Sequence, residues 1–314
     1  MNKVLKNVST RINRQFYRTF TIDKNNNYRN SVLLAGSGRS GTTWVSNIIN
    51  YDNEYRYMFE PFHPDKVAEF KDFGFHKYIR ENTNDDVLLK RMESVLTGSI
   101  KNKWIDGLNK RIVSDKRLIK VIRGNLFLKY ISRKFPEIPI VFLMRHPCAV
   151  TNSRIKLNWR DHLDDLLKQE EVMKDFLNEF KAYIEGTLEN GSIFEKHVMM
   201  WCIENYIPLK QMTLNKEFHV VFYENLAVNP EEEMGRLFKY IDKKYDQKVY
   251  SILSTPSDTV RKDSSITNIQ SWKKNINKDQ IKKAKEILEI FDMDKIYTDE
   301  FIGDYQQLDK FMKC

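Results

Sequence analysis

Short apolar runs bounded by turn residues recur along the chain: SVLLAG at 31–36, RLIKVI at 117–122, IPIVFLM at 138–144 and FHVVFYENL at 218–226. Runs of this length and composition predict buried strands. Each precedes or follows a stretch of helical pattern. Strands that alternate with helices, and that are almost continuously apolar, predict a parallel sheet covered on both faces. The expected fold class is therefore α/β, with three layers: a central parallel sheet flanked by helices.

The polar stretches divide the chain further. NNNYRN at 25–30 breaks the pattern before the first strong run, so residues 1–30 are set apart as a basic N-terminal helical extension and 31–314 as a single domain. Within the domain, NWRDHLDDLLKQEEVMKDFLNEFKAYIEG lies in a polar, helix-forming excursion at about 158–200. It reads either as a solvent-facing helix pair or as a lid or wall of a binding site. From Lys274 onward, IKKAKEILEIF repeats apolar residues at helical spacing and predicts a terminal amphipathic helix. The first twenty residues combine Val4, Leu5, Val8, Ile12, Phe16 and Phe20 with five Lys or Arg. That pattern suits a helix packing its apolar stripe on the domain, and the alternative is peripheral contact with a membrane surface.

Composition narrows the classes. With 314 residues and 41% hydrophobic content the chain can bury a sizeable core. Fifty-two Lys and Arg against 43 Asp and Glu give a net charge of +9, which favours anionic partners. Charge alone does not make a nucleic-acid module, and neither a nucleic-acid motif nor a basic stripe with interleaved aromatics is present. Cys148, Cys202 and Cys314 are far apart and odd in number, which suggests neither a disulfide framework nor zinc. No run approaches the roughly 18 apolar residues of a membrane span, and no signal-peptide core opens the sequence. A cytoplasmic protein is expected, with the inner face of the membrane as the alternative that the basic N-terminus leaves open.

The chemistry concentrates at GSGRSGTTW, residues 36–44, between the run SVLLA and the helix start VSNIIN. A glycine-rich turn between strand and helix lets backbone N–H groups wrap an anion while the helix N-terminus adds its positive end. Gly36, Gly38 and Gly41 supply the permissive backbone. The spacing matches the start of a nucleotide P-loop, so the domain is of P-loop type, but Thr42 stands where that loop carries Lys. Without the Lys, ordinary triphosphate hydrolysis loses a principal charge. Arg39 inside the loop is the substitute cation. A P-loop kinase or NTPase-like transferase is the alternative reading.

RSGTTW resembles the 5′-phosphosulfate loop of sulfotransferases that use 3′-phosphoadenosine 5′-phosphosulfate (PAPS). IPIVFLMRHPCAVTNSR, 138–154, resembles that family's 3′-phosphate site, a strand ending in Arg followed by a helix carrying Ser. The matching residues are Arg145 and Ser153, and a guanidinium and a hydroxyl at that spacing can converge on one phosphate. His146 replaces the family's usual Asp and is expected to be structural. The segment 218–241 resembles the family's strand, Tyr-Glu and Pro-initiated helix, with packing as its expected job. RKDSSITNIQSWKK, 261–274, is similar to a C-terminal Arg-Lys stretch followed by Trp-Lys, though it lacks the usual glycine. Arg261 and Lys262 are thus further candidates for the 3′-phosphate, a solvated basic turn being the other reading. The resemblance implies sulfuryl transfer from PAPS as donor co-substrate, with PAP as product, to a hydroxyl or amine of a small-molecule or glycan acceptor, with no metal and no nucleic acid. Among such families the nearest in motif are carbohydrate sulfotransferases, through Phe-Glu-Pro in YMFEPFHP.

That resemblance also implies roles. Gly38, Arg39, Ser40, Gly41, Thr42 and Thr43 would hold the phosphosulfate, and Trp44 would lie against the adenine unless it packs in the core. Glu60 is the expected base, placed by Pro61 in an extended or turn segment at an exposed edge of the site, with His63 in reserve. Lys120 interrupts an apolar strand, where it either serves the transferred group or reaches solvent from the strand end. Arg123 beyond it could engage an anionic acceptor or donor.

Overall fold

The computed structural model describes residues 21–214, 217–253, 269–298 and 300–313. Its strands are β1 (Ile22–Asp23), β2 (Ser31–Gly36), β3 (Arg56–Phe59), β4 (Val113–Ser114), β5 (Arg117–Val121), β6 (Ile140–Met144) and β7 (His219–Phe222). Five of them form the main sheet in the order β3–β5–β2–β6–β7, all parallel, and β1 pairs with β4 in a separate ribbon.

Alternate residues of each strand enter two different cores. Leu33, Ala35, Ile119, Val121 and Phe142 pack on one face, and Val32, Leu34, Leu118, Val141 and Leu143 on the other. Both faces are therefore covered, which is why the strands read as continuous apolar runs. On the first face lies the helix Ile193–Gln211, which starts at a reciprocal cap between Ser192 and Glu195 and is buried along most of its length. On the second lie Thr42–Ile49 and Pro230–Tyr240.

Several expectations change. The run FHVVFYENL is strand only over His219–Phe222, and Tyr223–Val228 is helix. RYMF at 56–59 is an additional edge strand, too short and too polar at Arg56 to stand out in the sequence. The excursion at 158–200 is helical in several short pieces through Lys181–Asn190 and ends in the first turns of the long helix Ile193–Gln211. Beyond the amphipathic helix Lys278–Ile290 the chain adds another, Tyr305–Lys313. Among the described residues no helix is long and apolar enough to cross a membrane. Cys148 and Cys202 are buried, free thiols.

Residues 21–30 are tied to the domain rather than set apart from it, because Asp23 is the shared partner of two buried arginines at the start of β3 and β5. Arg56 donates to Asp23, to both carboxylate oxygens of Asp106 at 2.8 and 3.1 Å and to the carbonyls of Gly98 and Ile100. Arg117 donates to Ser31 Oγ at 2.8 Å, Asp23 Oδ1 at 3.1 Å and the carbonyls of Asn25 and Asn27. Both side chains are 0% exposed. Two buried cations so close persist only because carboxylates and carbonyls neutralise and saturate them.

Candidate functional site

The loop that follows β2 turns into the helix Thr42–Ile49 through two left-handed residues, Arg39 with φ of 77° and Gly41 with φ of 99°. Glycine is required at 41 twice over, since a Cβ there would also meet the Tyr223 ring at 2.6 Å. At Gly38 the constraint is steric: a Cβ would lie 2.5 Å from the Trp159 ring. Gly41 caps the helix, and the first amides of an α-helix have no partner within it. Gly41, Thr42 and Thr43 line a cleft of about 210 Å³, together with Arg39, Glu60, Lys120, Arg123 and Arg145. The polar loop atoms and the cations suit an anion with several oxygens.

Arg39 bridges the loop to the second motif, donating from Nε to Ser153 Oγ at 3.0 Å, while Arg145 Nη1 donates to the Arg39 carbonyl at 3.3 Å. Burial, then repulsion from Arg145 and Arg154, lowers the Arg39 pKa from its usual value. Arg145 also lies 4.2 Å above the Tyr223 ring. Its Nε, and the Oγ of fully buried Ser40, have no hydrogen-bond partner among the described residues. Buried donors left in this state within a cationic cleft fit a phosphate or sulfate oxygen.

On the opposite wall stands Glu60, at the end of β3 and in a left-handed conformation with φ of 46°. It is not at an exposed edge. Only 4% exposed, it accepts from Lys120 Nζ on one oxygen and from Arg123 Nη1 on the other, both at 2.5 Å, and its amide donates to the Lys120 carbonyl at 2.8 Å. The strain of a non-glycine left-handed residue is held by these contacts. Lys120 does not reach solvent; burial lowers its pKa, Glu60 offsets that, and Nζ sits 4.4 Å from the Phe59 ring. His63 lines the same cleft, its imidazole pushed down to about 4 by burial and by Arg123, so it is neutral near pH 7.

The remaining candidates fall elsewhere. Trp44 is buried in the core, its ring 5.0 Å from Tyr223, and does not line the cleft; core packing is the reading that its position fits. His146 is buried against Trp272, stacked at 4.9 Å with a 10° interplanar angle, and burial lowers its pKa to about 3. Arg261 and Lys262 lie outside the described residues, as does the basic segment 1–20. Sequence reasoning missed Tyr223, which packs under the loop rather than only in the core, and Arg154, whose Nε donates to the Gly38 carbonyl at 3.2 Å and whose Nη2 pairs with Glu204 at 2.6 Å. Arg154 directly follows Ser153, and that adjacency was the available signal. It also missed Trp159, which no local pattern distinguishes from an ordinary surface aromatic.

A family model described as "Sulfotransferase family" matches residues 31–247, more than half of the chain. No curated protein matches the sequence. Among solved structures, the chain is similar to a sulfotransferase domain from the curacin biosynthetic pathway, at 12% identity over 82% of this chain and 96% of that one, with a TM-score of 0.47. A sulfotransferase domain from the Synechococcus PCC 7002 olefin synthase gives 13% identity, 86% and 96% coverage and a TM-score of 0.47. Mouse sulfotransferase SULT7A1, crystallised in complex with PAP, gives 11% identity, 88% and 87% coverage and 0.41.

Proposed function

The chain belongs to the sulfotransferase family, and from that premise we propose that it moves a sulfuryl group from PAPS to a hydroxyl of a carbohydrate or glycoconjugate acceptor, with Glu60 as the base. The observation that carries this reading is the buried carboxylate of Glu60 facing a cationic, amide-rich cleft across a small volume. Sulfuryl transfer needs in-line positioning, stabilisation of charge on the leaving oxygen and removal of one proton. The cleft has a group for each.

Arg39, Ser40, Gly41, Thr42 and Thr43 hold the 5′-phosphosulfate, and Arg145 with Ser153 holds the 3′-phosphate. Their residue types fit: the orphaned donors of Ser40 and Arg145 are the groups that an anion would satisfy. PAPS supplies an activated sulfuryl group on a phosphate leaving group. As the acceptor oxygen bonds to sulfur, its proton passes to Glu60, the sulfur–oxygen bond to the 5′-phosphate breaks, and PAP leaves with that electron pair. A carboxylate offers about four acceptor sites, so Glu60 can take an acceptor hydroxyl while still bound to Lys120 and Arg123. Those two cations hold the base in place, and Lys120 is also within the cleft that receives the transferred group. The acceptor class rests on the Phe-Glu-Pro similarity around Glu60. The scheme uses no metal.

The test is PAP release from PAPS, followed chromatographically with and without glycoside acceptors, in EDTA and in excess Mg²⁺. Acceptor-stimulated release that is unchanged by EDTA is expected. Turnover of ATP that depends on Mg²⁺, with PAPS inert, would replace this reading with a P-loop kinase.

A further inference from the structure

Beyond Trp159 lies a second cleft of about 210 Å³, lined in part by Phe75, His76, Arg154, Asp161 and His162. It shares Ile122, Arg123 and Trp159 with the donor cleft, so the two meet at a common wall next to Glu60. Four flat rings, Phe75, His76, Trp159 and His162, form part of its walls. Phe75 and His162 are stacked at 4.6 Å with 23° between their planes, and His76 lies 5.4 Å from His162. The turn that carries Trp159 and His162 is fixed by two left-handed residues, Asn158 and His162, and by a bond between the Trp159 carbonyl and His197 Nε2 at 3.1 Å.

The charges of the second cleft are already spent within the protein. Arg123 is paired with Glu60, Arg154 with Glu204 at 2.6 Å, and Arg160 with Asp164 at 2.5 Å. Asp161 is the exception: its carboxylate accepts from the Leu163 amide at 3.1 Å and has no ion-pair partner among the described residues. An anionic ligand would find every guanidinium paired with a carboxylate, and the unpaired carboxylate of Asp161 facing it beside that of Glu204. A cationic ligand would have to shed its hydration among three guanidiniums. A ring with one apolar face and neutral hydroxyls loses neither way: the face lies on the aromatic walls, and the hydroxyls donate to Asp161 and accept from the arginines' remaining donors.

Resting on the sulfuryl-transfer reading, we infer that the second cleft is the acceptor site and that it selects an uncharged hexopyranoside unit over a uronate, phosphorylated or amino sugar. The net charge of +9 points the other way, toward an acidic glycan, but that charge is a property of the whole surface and not of this cleft.

The test uses the full chain saturated with PAP and three probes, methyl β-glucoside, methyl β-glucuronoside and methyl β-glucosaminide, with binding read by saturation-transfer NMR and calorimetry. The neutral glucoside is expected to bind about tenfold more tightly than the glucuronoside. Asp161→Lys should reverse that order, and His162→Ala should weaken the glucoside about fivefold by removing half of the stacked pair. Because Asp161 and His162 do not line the donor cleft, PAP affinity should stay the same in both variants. Preference for the uronate or the amino sugar in the wild-type chain, no glucoside binding at all, or an unchanged order in Asp161→Lys would overturn the inference while leaving the donor reading intact. Absence of PAP binding in the wild-type chain would instead remove the reading on which it rests.

Discussion

Strands β3 and β5 carry a buried charge cluster at each end, and the two clusters differ in one respect. At the N-terminal end, Arg56 and Arg117 lie side by side in register and are saturated by Asp23, Asp106 and four carbonyls. At the C-terminal end, Phe59 pairs with Lys120, and buried Glu60 and Lys120 with the partly exposed Arg123 form a set that opens onto the phosphate-loop cleft. In open parallel sheets ligands bind beyond the carboxyl ends of the strands. Burial of charge therefore says little about function by itself; the neighbouring void and the unsatisfied donors around it separate a clamp from a site.

This contrast can be broken in order of expected effect. Arg56→Ala leaves Asp106 and part of Asp23 buried without a cation, so unfolding in urea should show a loss of about 3–5 kcal/mol. Glu60→Gln keeps shape and hydrogen bonding but removes the proton acceptor, so acceptor-dependent turnover should fall by about 10²–10⁴-fold. Thermal melting of that variant should change far less than that of Arg56→Ala. If the two variants exchanged these signatures, the assignment of clamp and site would be reversed.

A smaller effect separates both clusters from the ordinary buried histidines. His219 is stacked on Tyr240 at 4.9 Å with no partner on Nε2 among the described residues, and burial, with Arg236 adding to it, pushes its pKa to about 4. Its folded value lies below the usual 6.5, so the unfolded chain binds the extra proton between those limits. The stability it contributes is present above pH 6.5 and lost as the pH falls toward 4. His219→Phe should therefore reduce the acid slope of unfolding free energy by one proton, or about 1.4 kcal/mol per pH unit at most. An unchanged slope would mean that this imidazole is protonated in the native state.

Strands β2, β5, β6 and β7 were legible because burial on both faces leaves a continuous apolar signal, and the loop was legible because glycine and hydroxyl residues at fixed spacing carry their own mechanism. The positions of single side chains were less so. Glu60 before Pro61 reads as a loop residue facing solvent, and only its distance to Lys120 and Arg123, 60 and 63 residues away, makes it buried. Asp23 reads as part of a polar lead-in until two arginines from separate strands converge on it. Trp159 lies in the turn between the helices Pro147–Ile155 and Leu163–Leu167, and Glu204 in a helix buried along most of its length, and neither local pattern reports which cleft the residue borders. Each of these depends on contacts between distant parts of the chain, which periodicity does not encode.

Binding of PAP by calorimetry to the wild-type chain and to Arg145→Ala, beside ATP with Mg²⁺, decides whether the cleft is a PAPS site. PAP is expected to bind, ATP not to compete, and the loss of one charge-assisted phosphate contact to weaken PAP by about 10–100-fold. Equal affinity of the variant for PAP, or preference of the wild-type chain for ATP with Mg²⁺, would contradict that assignment.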